Sequence, residues 1–163
     1  MDPAGDHPSG RLILQRSAED LIAHLKLKPL PLEGGYFTET YRSAHGTAIY
    51  YLLTPDTVSR LHRLPGDELF HFYLGDPVEQ LVLHADGRSE RRVLGPDLET
   101  GQHLQALVPG GAWQGARLLS GGAFALLGTT MAPPFEFDHF EPGNPEALAA
   151  AYPEAADFIY SLR

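Results

Sequence analysis

His62 and Glu68 are the residues whose types and spacing best suit acid–base chemistry. They lie on either side of a Pro65-Gly66 turn in a segment rich in aromatic and aliphatic residues. We predict a hairpin in which alternation points both side chains to the interior. A neutral imidazole beside a carboxylate in an apolar pocket can move protons or hold a divalent metal. The alternative is that His62 is a hydrogen-bonded structural residue near a turn.

A second candidate cluster lies in residues 36–43, where polar and aromatic side chains alternate. The two glycines that precede this stretch allow a bulge or a close approach of the backbone. Arginine suits an anionic, hydroxyl-rich ligand, and tyrosine stacks on a sugar or a base. Strict alternation puts Arg42 on the face opposite Glu39. The predicted ligand-binding residues of this strand are Tyr36, Glu39, Tyr41 and Arg42, and the alternative is a dimer contact.

The elements that must position these residues are mostly strands. Short runs of β-branched, aromatic and aliphatic residues extend from about Tyr36 to Met131, separated by Gly, Pro and Asp. Such spacing without intervening helices predicts an all-β sandwich or barrel. Ser17 is a candidate cap for one short helix before the strands, and Asn144 for another after them. Pro153 interrupts the second helix, so a third is predicted over residues 154–162.

Length and composition restrict the remaining possibilities. The 163 residues fit one domain, predicted over 11–163 after a disordered tail at 1–10. A net charge of −9 argues against nucleic acid or a membrane surface as a partner. No cysteine is present and no apolar signal segment begins the chain, so we expect a cytoplasmic protein without thiol chemistry.

The segment around the Pro65-Gly66 turn resembles the first motif of the cupin superfamily. That motif runs Gly, five residues, His-X-His, three or four residues, Glu, six residues, Gly. Here the spacing is kept by His62, Glu68 and Gly75. Asp56 replaces the opening glycine and Leu64 replaces the second histidine.

The second cupin motif resembles a segment about forty residues further on. It runs Gly, five residues, Pro-X-Gly, two residues, His, three residues, Asn. Pro109 and Gly111 keep the spacing, with His103 at the opening glycine and Leu118 at the asparagine. Gln114 stands where the metal-binding histidine is expected. The resemblance therefore implies only three weak metal ligands, His62, Glu68 and Gln114, and a resident divalent metal is disfavoured.

Six blocks in the same order resemble cupin family five, from about Leu30 to Glu141. The resemblance implies a jelly-roll barrel. It also implies a fold similar to that of the dTDP-6-deoxyhexose 3,5-epimerases, and for this reason the family is described as sugar-epimerase-like. The blocks are residues 32–43, 47–53, 59–63, 67–77, 108–114 and 132–141.

The leading functional hypothesis is a small-molecule-binding cupin that acts as a metal-independent epimerase or isomerase on a carbohydrate or nucleotide-sugar. His62 is the expected base, oriented by Glu68. A tyrosine such as Tyr36, Tyr41 or Tyr50 is the expected acid. Gln114 and Arg42 are expected to hold the substrate.

Two alternatives stay open, a non-catalytic ligand-binding domain and a metal-dependent cupin oxygenase or isomerase. We also expect a homodimer, because open jelly rolls leave sheet edges that subunits cover. Tyr41, Tyr73 and Trp113 suit such an interface, although Trp113 could instead close the pocket beside Gln114.

Overall fold

The computed structural model describes residues 16–163 and confirms the all-β class. The predicted tail at 1–10 lies outside the described residues. Within the described residues, eleven strands form two antiparallel sheets that pack face to face. The strands are β1 (Lys28–Pro29), β2 (Tyr36–Arg42), β3 (Thr47–Leu53), β4 (Ser59–Arg63), β5 (Glu68–Gly75), β6 (Val78–Leu83), β7 (Ser89–Leu94), β8 (Gln105–Val108), β9 (Trp113–Leu118), β10 (Ala125–Met131) and β11 (Glu141–Pro142).

The strand order within each sheet is that of a jelly roll. The six-stranded sheet runs β1-β2-β3-β10-β5-β8, and the five-stranded sheet runs β11-β4-β9-β6-β7. Neighbouring strands in space are often distant in sequence, as when β10 pairs with both β3 and β5. Such crossing connections close the sheets around one interior, as the predicted barrel requires.

The predicted hairpin around Pro65-Gly66 is wrong in its strand pairing. β4 pairs with β9 and β11, whereas β5 pairs with β10 and β8. The turn therefore carries the chain from one sheet to the other. The inward placement of the two side chains is nevertheless correct, since His62 and Glu68 are both buried.

The interior between the sheets is filled by alternate side chains of facing strands. On β5 the inward residues are Glu68, Phe70 and Phe72, and the residues between them are more exposed. Phe70 is 2% exposed and packs with Val82 of the other sheet in one core. Burying a side chain of this size stabilises the fold by about 2–3 kcal/mol.

The predicted helices are confirmed, and they cover the outer faces of the sheets. α1 (Ala18–Leu25) begins with a capping box between Ser17 and Asp20 and packs Leu21 on the six-stranded sheet. α2 (Pro145–Ala151), a 3-10 turn at 153–155 and α3 (Ala156–Ser161) pack on the outer face of the five-stranded sheet. No helix within residues 16–163 is long and apolar enough to cross a membrane.

Candidate functional site

A cleft opens into the barrel along the inner face of the six-stranded sheet. The cavity itself has a volume of about 60 Å³, which becomes about 510 Å³ when the open space at its mouth is included. Most of its wall is apolar, with a few polar groups, which is the usual composition of a small-molecule site. The lining residues are Leu30, Glu33, Phe37, Glu39, Arg42, Thr47, Ile49, Leu64, Glu68, Thr129, Met131, Phe135 and Phe137.

Glu68 is the most deeply buried carboxyl group of this wall, at 7% exposure. It is the first residue of β5, with its side chain turned inward. Its Oε2 accepts a hydrogen bond of 3.0 Å from the Gln114 side-chain amide. The Thr129 hydroxyl is a second hydrogen-bond donor to this carboxyl group. A carboxyl group has about four acceptor sites, so it can still accept a hydrogen bond from a ligand.

The two motif turns hold these residues in place by contacting each other. The Gly110 amide donates to the Asp67 carboxylate at 2.8 Å, and the Gly111 amide donates to the Leu64 carbonyl at 2.8 Å. A Cβ atom at Gly110 would overlap the Pro65 carbonyl oxygen. Gly110, which stands between Pro109 and Gly111 of the second motif, thus lets the turn before β9 pack against the turn before β5.

His62 lies behind the cleft wall rather than on it. Its ring is 1% exposed and stacks on Phe140, with 5.0 Å between ring centroids. Nδ1 donates to the Arg60 carbonyl at 2.7 Å, so in the neutral ring Nε2 is the acceptor. Nε2 is 3.8 Å from Glu33 Oε1. The expectation that His62 is the base is therefore corrected, since its ring does not reach the cleft and its nearest carboxylate partner is Glu33.

Glu33 is the functional candidate that sequence reasoning missed. Its Oε1 accepts a hydrogen bond of 2.7 Å from the Ser59 hydroxyl, and its side chain lines the cleft. Two residues after Glu33, Gly35 has a φ of +73° and its backbone packs directly against β3. A Cβ atom at this position would lie 2.7 Å from the Tyr51 hydroxyl oxygen. That hydroxyl donates to the Gly34 carbonyl at 2.8 Å. The glycine pair before β2 was the available signal.

Burial and mutual charge change the proton affinity of this cluster. Burial raises the pKa of Glu68 from the usual 4.5 to about 7, and the negative charge of Glu33 acts in the same direction. The His62 ring, the Gln114 amide and the Thr129 hydroxyl oppose the shift. Burial also raises the pKa of Tyr51 well above 10, which keeps the phenol protonated.

Arg42 and Glu39 lie at the mouth of the cleft on the same face of β2. A bulge between Glu39 and Tyr41 adds one residue to the strand, which corrects the expected opposite orientation. Arg42 donates from Nε and Nη2 to Glu39 at 2.8 and 2.9 Å. It also donates to the Phe135 carbonyl at 2.8 Å and to the Glu136 carboxylate at 3.1 Å.

The other aromatic candidates do not line the cleft, which corrects their expected place in the pocket. Tyr36 and Tyr50 pack on the outer face of the six-stranded sheet, in the cluster around α1. Tyr41 is 59% exposed. Trp113 packs against the C-terminal helices, with the Arg63 guanidinium 4.4 Å from its ring centroid. The inward tyrosine of β3 is Tyr51.

The donor set does not fit the cupin metal centre. Leu64 fills the place of the second histidine and is buried. Gln114 turns its amide nitrogen, which cannot bind a metal, towards Glu68. In the described part of the chain no three His, Asp or Glu side chains are grouped so that they could hold a metal ion. His62, Glu68 and Gln114 are thus corrected as a ligand set.

The two antiparallel sheets with the paired turns at 65–67 and 109–111 define the class of the protein as a cupin-type barrel. The chain matches the family model described as Cupin superfamily (DUF985) over residues 19–142, and it belongs to that family.

Relatives of known sequence or structure agree with this assignment. An uncharacterised protein of Saccharomyces cerevisiae is 30% identical over 152 residues, which cover 76% of this chain and 75% of the yeast protein. Two solved structures cover 90% of this chain. A hypothetical protein from Leishmania major has 33% identity, a TM-score of 0.81 and 98% of its own length matched. A protein from Shewanella oneidensis has 34% identity, a TM-score of 0.83 and 97% matched.

A more distant structural neighbour shows the fold alone. Oxalate decarboxylase from Bacillus subtilis has 16% identity and a TM-score of 0.58, over 85% of this chain and 37% of that enzyme. Its similarity supports the jelly-roll barrel. The chemistry of the present chain has to be argued from its own cleft.

Proposed function

We propose that the cleft binds a small carbohydrate-type carbonyl compound and that the protein is a metal-independent isomerase or epimerase. The observation that carries the proposal is that three carboxyl groups, Glu33, Glu39 and Glu68, line one mostly apolar cleft, and that Glu33 and Glu68 are the two that are not paired with Arg42. Moving a proton next to a carbonyl group needs a base and an acid on either side of the ligand. Here the two carboxyl groups take the roles first expected for His62 and Tyr50.

The raised pKa of Glu68 suits it to the acid role. At a pKa of about 7, a large fraction of this group carries a proton at neutral pH. Proton transfer is most efficient when the pKa of the catalytic group is close to the working pH. The bond from the Gln114 amide keeps the carboxyl group in one orientation as it gains or loses the proton.

One turnover neither gains nor loses a proton overall. Glu33 removes the proton from the carbon next to the carbonyl group, and the electron pair of that C–H bond passes into an enolate. Glu68 then delivers its own proton to the opposite face of the same carbon, which inverts the centre. Glu33 ends protonated and Glu68 ionised, and exchange with water through the mouth restores the starting state. His62 is a positioning residue, with Nε2 3.8 Å from Glu33.

Deuterium incorporation tests this function. Unphosphorylated aldoses and ketoses and a set of nucleotide-sugars are incubated with the protein in heavy water, and loss of the proton signal next to the carbonyl group is followed by NMR. We expect exchange with at least one compound. Glu33→Gln and Glu68→Gln should each slow it by about a hundredfold or more, as for loss of an acid–base group.

Glu146→Gln is the matched control, because Glu146 is exposed in α2 and pairs only with Arg163. It should leave the exchange rate unchanged. Equal rates in wild type and both active-site variants would contradict the proposal. Binding of a panel compound without exchange would favour the non-catalytic binding domain, and exchange that needs added iron or manganese would favour the metal-dependent alternative.

A further inference from the structure

Among the residues in 16–163 that line the cleft, one side chain is basic, that of Arg42, and its N–H groups are largely occupied. Arg42 uses four N–H···O bonds on Glu39, Glu136 and the Phe135 carbonyl. A guanidinium carries five N–H donors, so one is left. An arginine that already binds a carboxylate through two parallel N–H···O bonds cannot at the same time bind a phosphate in the bidentate geometry that makes arginine a good phosphate ligand.

The remaining charges of the wall are negative. Glu33, Glu39 and Glu68 line the cleft, and Glu136 pairs with Arg42 at its mouth. An anion entering the cleft therefore approaches more carboxylates than cations, in a site where burial weakens the screening by water.

The deepest wall residue also favours a hydrogen-bond donor as ligand. Glu68 is more than nine-tenths buried, and of the roughly four acceptor sites of a carboxyl group the Gln114 amide and the Thr129 hydroxyl use two. The ionised form of Glu68 therefore accepts a hydrogen bond from a hydroxyl or an ammonium group and repels a phosphate, whereas the protonated form can donate to either kind of ligand.

We propose that the cleft selects against phosphate, so that its substrate is a free, unphosphorylated sugar-type compound, and that Glu39 and Glu136 set this preference by occupying Arg42. The inference rests on the proposed function for the choice of a sugar-type carbonyl compound. It narrows the two substrate classes expected from the sequence to one, because a nucleotide-sugar carries a diphosphate.

The test uses inorganic pyrophosphate as the probe, so it does not depend on turnover. The methyl groups of Ile49, Leu64, Thr129 and Met131 line the cleft and report binding there by NMR. We expect no saturable shift of these signals in the wild type. In Glu39→Gln/Glu136→Gln, which leaves Arg42 without a carboxylate partner and removes two negative charges, pyrophosphate should bind about tenfold or more tightly than in the wild type.

The control is Glu146→Gln/Glu154→Gln, which removes the same number of charges and also frees an arginine, Arg163, far from the cleft wall. It should behave as the wild type does. Saturable shifts of the cleft methyl groups in the wild type, or no gain in the Glu39/Glu136 variant over this control, would overturn the proposal. Deuterium exchange and pyrophosphate binding are separate readouts, so failure of the proposed function and failure of this inference are told apart.

Discussion

At the scale of single residues, the cluster around Glu68 is held together at a cost in stability. A buried carboxyl group beside a second one is favourable when it carries a proton and unfavourable when it is ionised. The groups that face Glu68 are Glu33 from the loop before β2, Tyr51 from β3 and His62 from β4, together with Gln114 and Thr129. Folding stability should therefore depend on pH through this one group.

The first prediction concerns Glu68→Gln. Because the folded-state pKa of Glu68 is raised from 4.5 to about 7, its contribution is fully present below pH 4.5 and is lost as the pH rises through 7. The loss amounts to about 3 kcal/mol at most. Glutamine stays neutral, so the variant should be more stable than the wild type at pH 8 and close to it near pH 4. Urea unfolding across this pH range measures the difference.

Glu146→Gln serves as the reference for this experiment, since an exposed carboxylate has little effect on folding stability at either pH. Curves of unfolding free energy against pH that stay parallel for wild type and Glu68→Gln would show that Glu68 titrates normally.

At the scale of elements, two local irregularities build the cleft. The glycine pair before β2 brings the Glu33 loop against β3, and the bulge within β2 turns Arg42 to the same side as Glu39. Both depend on the backbone of a neighbouring strand. A regular strand over residues 33–42 would put Arg42 on the face opposite Glu33 and Glu39.

The second prediction compares two glycines with positive φ. Gly35→Ala at φ +73° adds a Cβ atom 2.7 Å from the Tyr51 hydroxyl and 2.9 Å from the Leu52 carbonyl oxygen. Gly87→Ala at φ +91° meets nothing within 4 Å. The backbone strain is common to both, about 1–2 kcal/mol. Gly35→Ala should cost about 2 kcal/mol more, because it also moves the Glu33 loop.

Urea unfolding of the two variants measures this difference, with Gly87→Ala as the control. Equal losses of stability would mean that the Glu33 loop shifts without a further loss of unfolding free energy. The close approach at Gly35 would then not contribute to stability.

The same elements show what could be predicted from the sequence. The helix caps, most strand positions and the inward placement of His62 and Glu68 follow from local patterns, and the structure confirms them. Tyr51 was missed because β3 is covered on both sides, by the barrel interior and by α1, so hydrophobicity does not alternate along it. The orientation of the Arg42 side chain was predicted wrongly, because the one extra residue of the β2 bulge turns this side chain to the opposite face of the strand. β7 was missed because it is a charged edge strand.

At the scale of the whole molecule, the helical layer and the cleft lie on different sides of the protein. The C-terminal helices cover the outer face of the five-stranded sheet, and the cleft follows the inner face of the other sheet. Tyr41 and Tyr73 are exposed, as an interface would require, and the homodimer stays a prediction. Trp113 packs against the C-terminal helices instead.

The third prediction concerns that layer. Phe158 in α3 is 1% exposed, between the Arg117 guanidinium at 4.3 Å from its ring centroid and the outer face of the sheet. Phe158→Ala should lower the unfolding free energy by about 3–5 kcal/mol. Tyr160→Ala, in the same helix but 41% exposed, should change it by about 0.5 kcal/mol.

Chemical denaturation followed by circular dichroism measures both variants. Similar values for the two would mean that the C-terminal helices are not part of the cooperative fold.

The cover segment, residues 132–140, leaves β10 of one sheet and enters β11 of the other. It is tied between its ends as well, by the Arg42 bonds and by the Phe135 amide, which donates to the Thr47 hydroxyl at 3.0 Å. Swinging this backbone aside would break strand pairing at β11, whereas turning the half-exposed ring of Phe137 breaks no hydrogen bond. We therefore expect a ligand of the proposed kind to enter by rotation of the Phe137 ring, on the picosecond-to-nanosecond scale, rather than by the slower opening of a lid.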